Sequence, residues 1–91
     1  MSSGSYQIEW AASALRSLDR LPDKIAIACV EFVFGGLAAN PQRVGRALRF
    51  ELEGKRSARR GDFRVIYEID ESQRVVTVIA IGHRSDVYRT H

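Results

Sequence analysis

The chain has little cysteine, proline, histidine or methionine: one Cys, two Pro, two His and one Met in 91 residues. With Cys29 alone there is no internal disulfide and no cysteine-based zinc site. His83 and His91 stand eight residues apart, a spacing that does not put two metal ligands on one helix face. No stretch approaches the roughly 20 uncharged apolar residues of a membrane span. The opening Met1-Ser2-Ser3-Gly4-Ser5 has neither the basic nor the apolar region of a secretory signal, so the expected compartment is the cytoplasm. Gly35-Gly36 is not followed by Lys-Ser/Thr, so there is no phosphate loop of the P-loop kind. The basic cluster described below contains no carboxylate pair, which disfavours glycoside hydrolysis.

What remains is a small, adequately apolar chain with concentrated arginine. Apolar residues make up 45% of it, enough for one core and one domain over residues 1–91. The net charge of +3 is unevenly spread. Residues 43–64 carry eight basic and three acidic side chains, a net of +5, while the segments on either side are each −1. Twelve of the fourteen basic residues are Arg, whose planar fork binds phosphate bidentately where Lys cannot. Such a segment points to a polyanion, most simply a nucleic acid, against the plainer reading of a solvated face.

The hydrophobic pattern predicts an α+β fold. Tyr6 to Glu9 reads as a short strand. Trp10, Ala14, Leu18 and Leu21 follow helical spacing, with Leu15 beside them and Arg16, Asp19 and Arg20 outward. A second helix is expected from about Pro22 to Gly35-Gly36, with fraying on to Asn40-Pro41 as the alternative end. It is apolar at every position from Ile25 to Phe34 except Glu31, so it is either sandwiched or awaiting a partner. Leu48 to Leu52 reads as a strand or an arm. Lys55 to Arg60, Phe63 to Ile69 and Arg74 to Gly82 read as a meander of strands, giving a helical pair on one side of a mostly antiparallel sheet.

Turn chemistry predicts the register. A Gly61-Asp62 hairpin places Arg60 opposite Phe63 and Arg59 opposite Arg64. A turn over Asp70 to Gln73 then puts Ile69 opposite Arg74, Arg64 opposite Ile79 and His83 near Arg60. On that register Arg59, Arg60, Arg64, His83 and Arg84 converge at one sheet edge. Arg59 facing Arg64 is a like-charge pair, a local cost of the kind that marks function.

Those residue types suit phosphodiester chemistry without a metal or cofactor. Arginines bind a phosphate and stabilise its developing charge. His83 can move protons, since imidazole ordinarily titrates near neutrality. Tyr88 can stack on a base. RNA carries its own nucleophile, the 2′-OH. Each residue has a plainer reading: His83 as a surface histidine, Tyr88 as packing, Arg64 as the ion-pair partner of Glu68. Cys29, mid-helix in an apolar run, reads as a small hydrophobe rather than a nucleophile.

Particular strings also carry a resemblance. They are Leu18-Asp19-Arg20-Leu21-Pro22, residues 48–54, Gly61-Asp62-Phe63-Arg64-Val65-Ile66-Tyr67, and Gly82-His83-Arg84-Ser85-Asp86-Val87-Tyr88. Over residues 6–89 the chain resembles the RelE/ParE superfamily of toxins from bacterial toxin–antitoxin pairs, and within it the RelE-like mRNA endonucleases. The resemblance implies a helical hairpin across a twisted sheet and a RelB-like antitoxin as partner. It also implies metal-independent cleavage of mRNA in the ribosomal A site by 2′-OH attack on the adjacent phosphate. It assigns Arg64 to the phosphate, Arg84 to support, Tyr88 to base stacking and His83 to proton transfer. Arg59 matches a further basic position. Lys55 falls near a basic strand that supplies lysines in some members, the second of which is Ser57 here. Arg43, Arg46, Lys55, Arg56, Arg59 and Arg60 are the expected RNA- and ribosome-binding set. A ParE-like toxin that binds DNA gyrase and has no nuclease residues is the alternative, and a toxin fold kept only for antitoxin binding is a third.

Overall fold

In the computed structural model, residues 5–48 and 54–83 are described. Their order is β1 (Gln7–Trp10), α1 (Ala12–Asp19), α2 (Asp23–Phe32), α3 (Pro41–Val44), β2 (Gly45–Ala47), β3 (Arg56–Arg60), β4 (Phe63–Asp70) and β5 (Val75–His83). Among the described residues the five strands form one mixed sheet in the order β1-β5-β4-β3-β2. Of these, β1 alone runs parallel to its neighbour, with Gln7 opposite Val75 and Trp10 opposite Val78. The expected α+β architecture of a helical pair on a mostly antiparallel sheet is therefore present, and no helix among the described residues is long and apolar enough to cross a membrane.

The core lies between the helices and one face of the sheet. Ala14 of α1 and Cys29 of α2 are buried with Val33, Leu37, Ala58, Val65, Tyr67, Val76, Val78 and Ile81. Trp10, Leu18 and Leu21 pack against this cluster, but the helix expected over Trp10 to Leu21 is shorter: Trp10 belongs to β1, Leu21 lies beyond α1, and Leu15 is half exposed. In α2 the buried stripe is Ile25, Cys29, Val33 and Leu37, four residues apart. The helix is not sandwiched: Ile27 and Phe34 are 58% and 57% exposed. Of the two expected ends, it takes the later one, past Gly35-Gly36. Val33–Leu37 form one wide π-helical turn, which keeps Leu37 in the core and carries the helix on to Ala39. The first strand of the predicted meander also begins earlier than expected, at Gly45. Its ladder reaches Leu48, whose N–H donates to the Lys55 carbonyl at 2.9 Å. The rest of the expected Leu48 to Leu52 strand falls at residues 49–53, outside the described residues.

The Gly61-Asp62 hairpin has the predicted register, with Arg60 opposite Phe63 and Arg59 opposite Arg64. Gly61 supplies the left-handed φ of 62° that this turn needs. The next hairpin differs. Asp70 still pairs with Val75, so the turn occupies Glu71 to Arg74 and Ile69 faces Val76, not Arg74. The Asp70 carboxylate accepts hydrogen bonds from Ser72 Oγ at 2.8 Å and Gln73 N at 3.1 Å, and Arg74 closes the turn at φ 57°. Further along, β5 bulges: Ile66 faces Ala80 while Tyr67 faces Val78, leaving Ile79 as the extra residue. The Ser13 hydroxyl of α1 donates to the Ile79 carbonyl.

These two departures correct the expected register. Arg64 faces Gly82 rather than Ile79, and His83 faces Phe63 rather than Arg60. The moved turn shifts the pairing by an even step and leaves faces unchanged. The bulge adds one residue and turns the end of β5 over, so His83 shares a face with Phe63 and not with Arg64.

Candidate nucleic-acid interface

Strand alternation sorts the basic residues onto two faces. Ser57, Arg59, Arg64 and Ile66 point away from the core-side set of Ala58, Val65 and Tyr67. On that far face Arg46 of β2 stands opposite Ser57, and α3 brings Arg43 alongside. Together Arg43, Arg46, Arg59 and Arg64 line a groove of about 540 Å³ with Ser57 and Leu48. No carboxylate is among its described lining residues. Leu48 seals the floor, packing with Ile66, Ile79 and Ala80 in a small second cluster.

Within the groove Arg59 and Arg64 are a direct cross-strand pair. The ion pair that would have made Arg64 merely structural is not formed, because Glu68 is held by Lys55 at 3.3 Å. Arg64 Nη1 is buried and has no hydrogen-bond partner among the described residues. A guanidinium nitrogen withdrawn from water and left without an acceptor is costly, and an incoming anionic oxygen removes that cost.

The remaining expected residues are placed elsewhere. His83 ends β5 on the helix side of the sheet, its ring edge-on to Phe63 with centroids 5.9 Å apart. It is one residue beyond Gly82, the partner of Arg64, so the two side chains leave the sheet in opposite directions from adjacent positions. Arg60 is exposed on the helix side and lies near enough to Cys29 to oppose the rise that burial imposes on its thiol pKa. The predominant effect of burial there suits the reading of Cys29 as a small hydrophobe. Lys55 is engaged by Glu68. Arg56 is turned to the backbone: its Nη2 donates to the Gln42 carbonyl at 2.8 Å and the Gly45 carbonyl at 3.1 Å. Arg84 and Tyr88 lie outside the described residues.

Sequence reasoning missed the helix-side partnership of Arg56 with Tyr67. The Tyr67 hydroxyl is buried and donates to the Pro41 carbonyl. Burial raises its pKa, and hydrogen bonding and charge from Arg56 act in the opposite sense. The available signal was Gly45. An added Cβ there would overlap the Tyr67 hydroxyl and stand 2.7 Å from the Ser57 carbonyl oxygen. Among the described residues no group of three His, Cys, Asp or Glu is placed to hold a metal ion.

A two-helix hairpin on a mixed five-stranded sheet, with an arginine groove on the opposite face, is the build of a small bacterial toxin domain. The chain belongs to the ParE toxin family of type II toxin–antitoxin systems, parDE, which it matches over residues 8–88. It is 56% identical to toxin RelE of Mycobacterium tuberculosis over 84 residues, 92% of this chain and 87% of that one. Toxin RelG of the same organism is 45% identical over 92% of this chain and 97% of its own. Among solved structures, the toxin–antitoxin complex RelBE2 of M. tuberculosis contains a chain that superposes with a TM-score of 0.87. That chain is 42% identical, with 93% of this chain and 98% of that one covered.

Proposed function

We propose that this toxin is a metal-independent endoribonuclease that cuts mRNA on the ribosome, the 2′-OH attacking the adjacent phosphate, and that a RelB-like antitoxin holds it silent. The observation that carries the reading is the groove: four converging arginines, no carboxylate among its described lining residues, and a buried Arg64 nitrogen without a partner among the described residues. A polyanion is the ligand such a site accepts. The relatives named toxin RelE and toxin RelG, and the RelBE2 complex, support the choice of RNA and of an antitoxin partner. A toxin acting on translating ribosomes works in the cytoplasm.

Arg64 holds the scissile phosphate and stabilises its extra charge, with Arg84 in support. Arg59, Arg46 and Arg43 seat the flanking backbone. Tyr88 stacks on the target base. His83, one residue beyond Gly82, the partner of Arg64, is the proposed proton carrier. Lys55 and Arg60 contribute only to the long-range field, since one is paired and the other faces away.

Single-turnover cleavage of ribosome-bound mRNA tests these roles. Arg64→Ala should slow the step by about 100- to 1,000-fold, the usual effect of removing one transition-state donor. Tyr88→Phe should cost least, because stacking survives loss of the hydroxyl. A His83→Gln variant with the wild-type rate across the pH range removes His83 from the mechanism. The family's description as a ParE toxin favours one other reading, a gyrase poison. Intact mRNA together with gyrase-linked DNA breaks would establish that reading in place of this one.

A further inference from the structure

The groove has a movable wall. Arg59 and Arg64 stand on two long strands of the central sheet, but Arg43 lies in the four-residue helix α3 and Arg46 in the three-residue edge strand β2. Neither short element is stable alone. In α3 the Arg43 and Val44 N–H groups both donate to the Asn40 carbonyl, at 3.0 and 3.2 Å, and β2 pairs with β3. The ladder to β3 ties Gly45–Ala47 to the sheet, and residues 41–44 need a further tether.

Two side chains from the sheet supply it, from the side away from the groove. The Tyr67 hydroxyl donates to the Pro41 carbonyl. Arg56 Nη2 bridges the Gln42 and Gly45 carbonyls. The three acceptors belong to the start, the second residue and the end of the same five-residue segment. Gly45 lets the segment settle directly on the Tyr67 hydroxyl, since any side chain there would collide with it. Arg56 and Tyr67 face each other across β3 and β4, so one cross-strand pair holds the whole segment.

We propose that Arg56 and Tyr67 form a latch that positions Arg43 and Arg46 on the groove wall, so that Arg56 serves RNA binding by placing other arginines rather than by touching RNA. This rests on the reading of the groove as an RNA site. The latch needs the fork of Arg: a Lys in its place keeps the charge but cannot bridge two carbonyls in fixed geometry.

The test uses the full chain and ribosomes programmed with an mRNA made uncleavable by 2′-O-methylation, at a temperature where every variant is folded by circular dichroism. Arg56→Lys and Tyr67→Phe should each raise the Kd by about three- to tenfold, the range expected for coupled neighbours. The saturating single-turnover rate on cleavable mRNA should stay near wild type, because Arg64 is undisturbed. In an Arg43→Gln/Arg46→Gln background the same two substitutions should have no further effect on Kd. Amide exchange at Arg43 and Val44 should accelerate in both single variants. If Arg56→Lys binds as wild type and only Arg56→Met is weakened, Arg56 acts by charge and the latch is wrong. Unchanged amide exchange in both variants also overturns it, whatever the ribosome data. A wild-type Kd for the Arg43→Gln/Arg46→Gln variant instead overturns the RNA reading of this wall, and the exchange data then judge the latch alone.

Discussion

Gly45 and Ser13 show how single residues can decide a local arrangement without any chemistry of their own. At Gly45 there is no space for a Cβ between the Tyr67 ring and the β3 backbone. Gly45→Ala should therefore destabilise the fold by about 1–3 kcal/mol, the usual cost of overpacking, measured by urea unfolding. Ser13 satisfies the Ile79 carbonyl at the bulge. Ser13→Ala should cost about 1 kcal/mol or somewhat more in the same assay, because it strands a partly buried acceptor. The role of Ser13 can be read neither from composition nor from spacing. The Arg59–Arg64 pair was legible, because the Gly-Asp dipeptide fixes a two-residue turn and the turn fixes the pairing. The convergence of Arg43 and Arg46 with that pair was not, since it depends on α3 and β2, which are too short to leave a periodic signal.

Among the elements, α1, β4 and the body of β5 were legible from apolar period and β3 as a short polar strand before a Gly-Asp turn, and the β4–β5 connection was not. Its turn is set by a side chain. The Asp70 carboxyl is held below the usual carboxylate range by the Ser72 hydroxyl, then by the Gln73 and Ser72 backbone amides. A carboxyl with a depressed folded pKa contributes stability above its unfolded value, near 3.9, and that contribution is lost as the pH falls through the lower folded value. Asp70→Asn should thus lower the Tm by a small, constant amount from neutral pH down to the ordinary carboxylate range. The difference from wild type should shrink on further acidification, as thermal scans across the acid limb would record. The site is exposed, so the effect is modest. The same turn reaches β1: Tyr6 donates to Glu71 at 2.8 Å, and the Arg74 guanidinium lies over the Tyr6 ring at 4.2 Å. Helix α2 was legible as an over-apolar helix, with its run past Gly35-Gly36 only as the second choice of end. Gly-Gly is a sound stop signal on propensity, and here burial of Val33 and Leu37 overrides it.

At the scale of the whole molecule, the arginine groove and the most exposed apolar side chains lie on different faces. The arginine groove occupies one face of the sheet, and the exposed Ile27 and Phe34 belong to the helical layer on the other. The groove should give ribosome binding that weakens steeply with salt. Arg43→Gln/Arg46→Gln should lower the slope of log K against log salt by about two, roughly one for each phosphate no longer neutralised. On the helical side, Ile27→Lys with Phe34→Lys should leave the fold and the nuclease intact while weakening capture by a co-expressed antitoxin, read by co-purification. Unaltered co-purification would move the antitoxin's apolar footprint off α2.

The parallel pairing of β1 with β5 has a consequence for how the toxin is born. Gln7 meets Val75, so among the described residues the first strand made finds its partner in the last. Within that sheet β5 also links β1 to the other strands. A nascent chain that has emerged through β4 holds three paired strands, β2 to β4, and the helices, but β1 still waits for its neighbour and the core stays open on that side. Pairings of such long sequence separation form late. The sheet is therefore completed only once β5 has been made, and a message truncated before β5 would yield a chain without the Ile79 and Ala80 that pack with Leu48 beneath the groove.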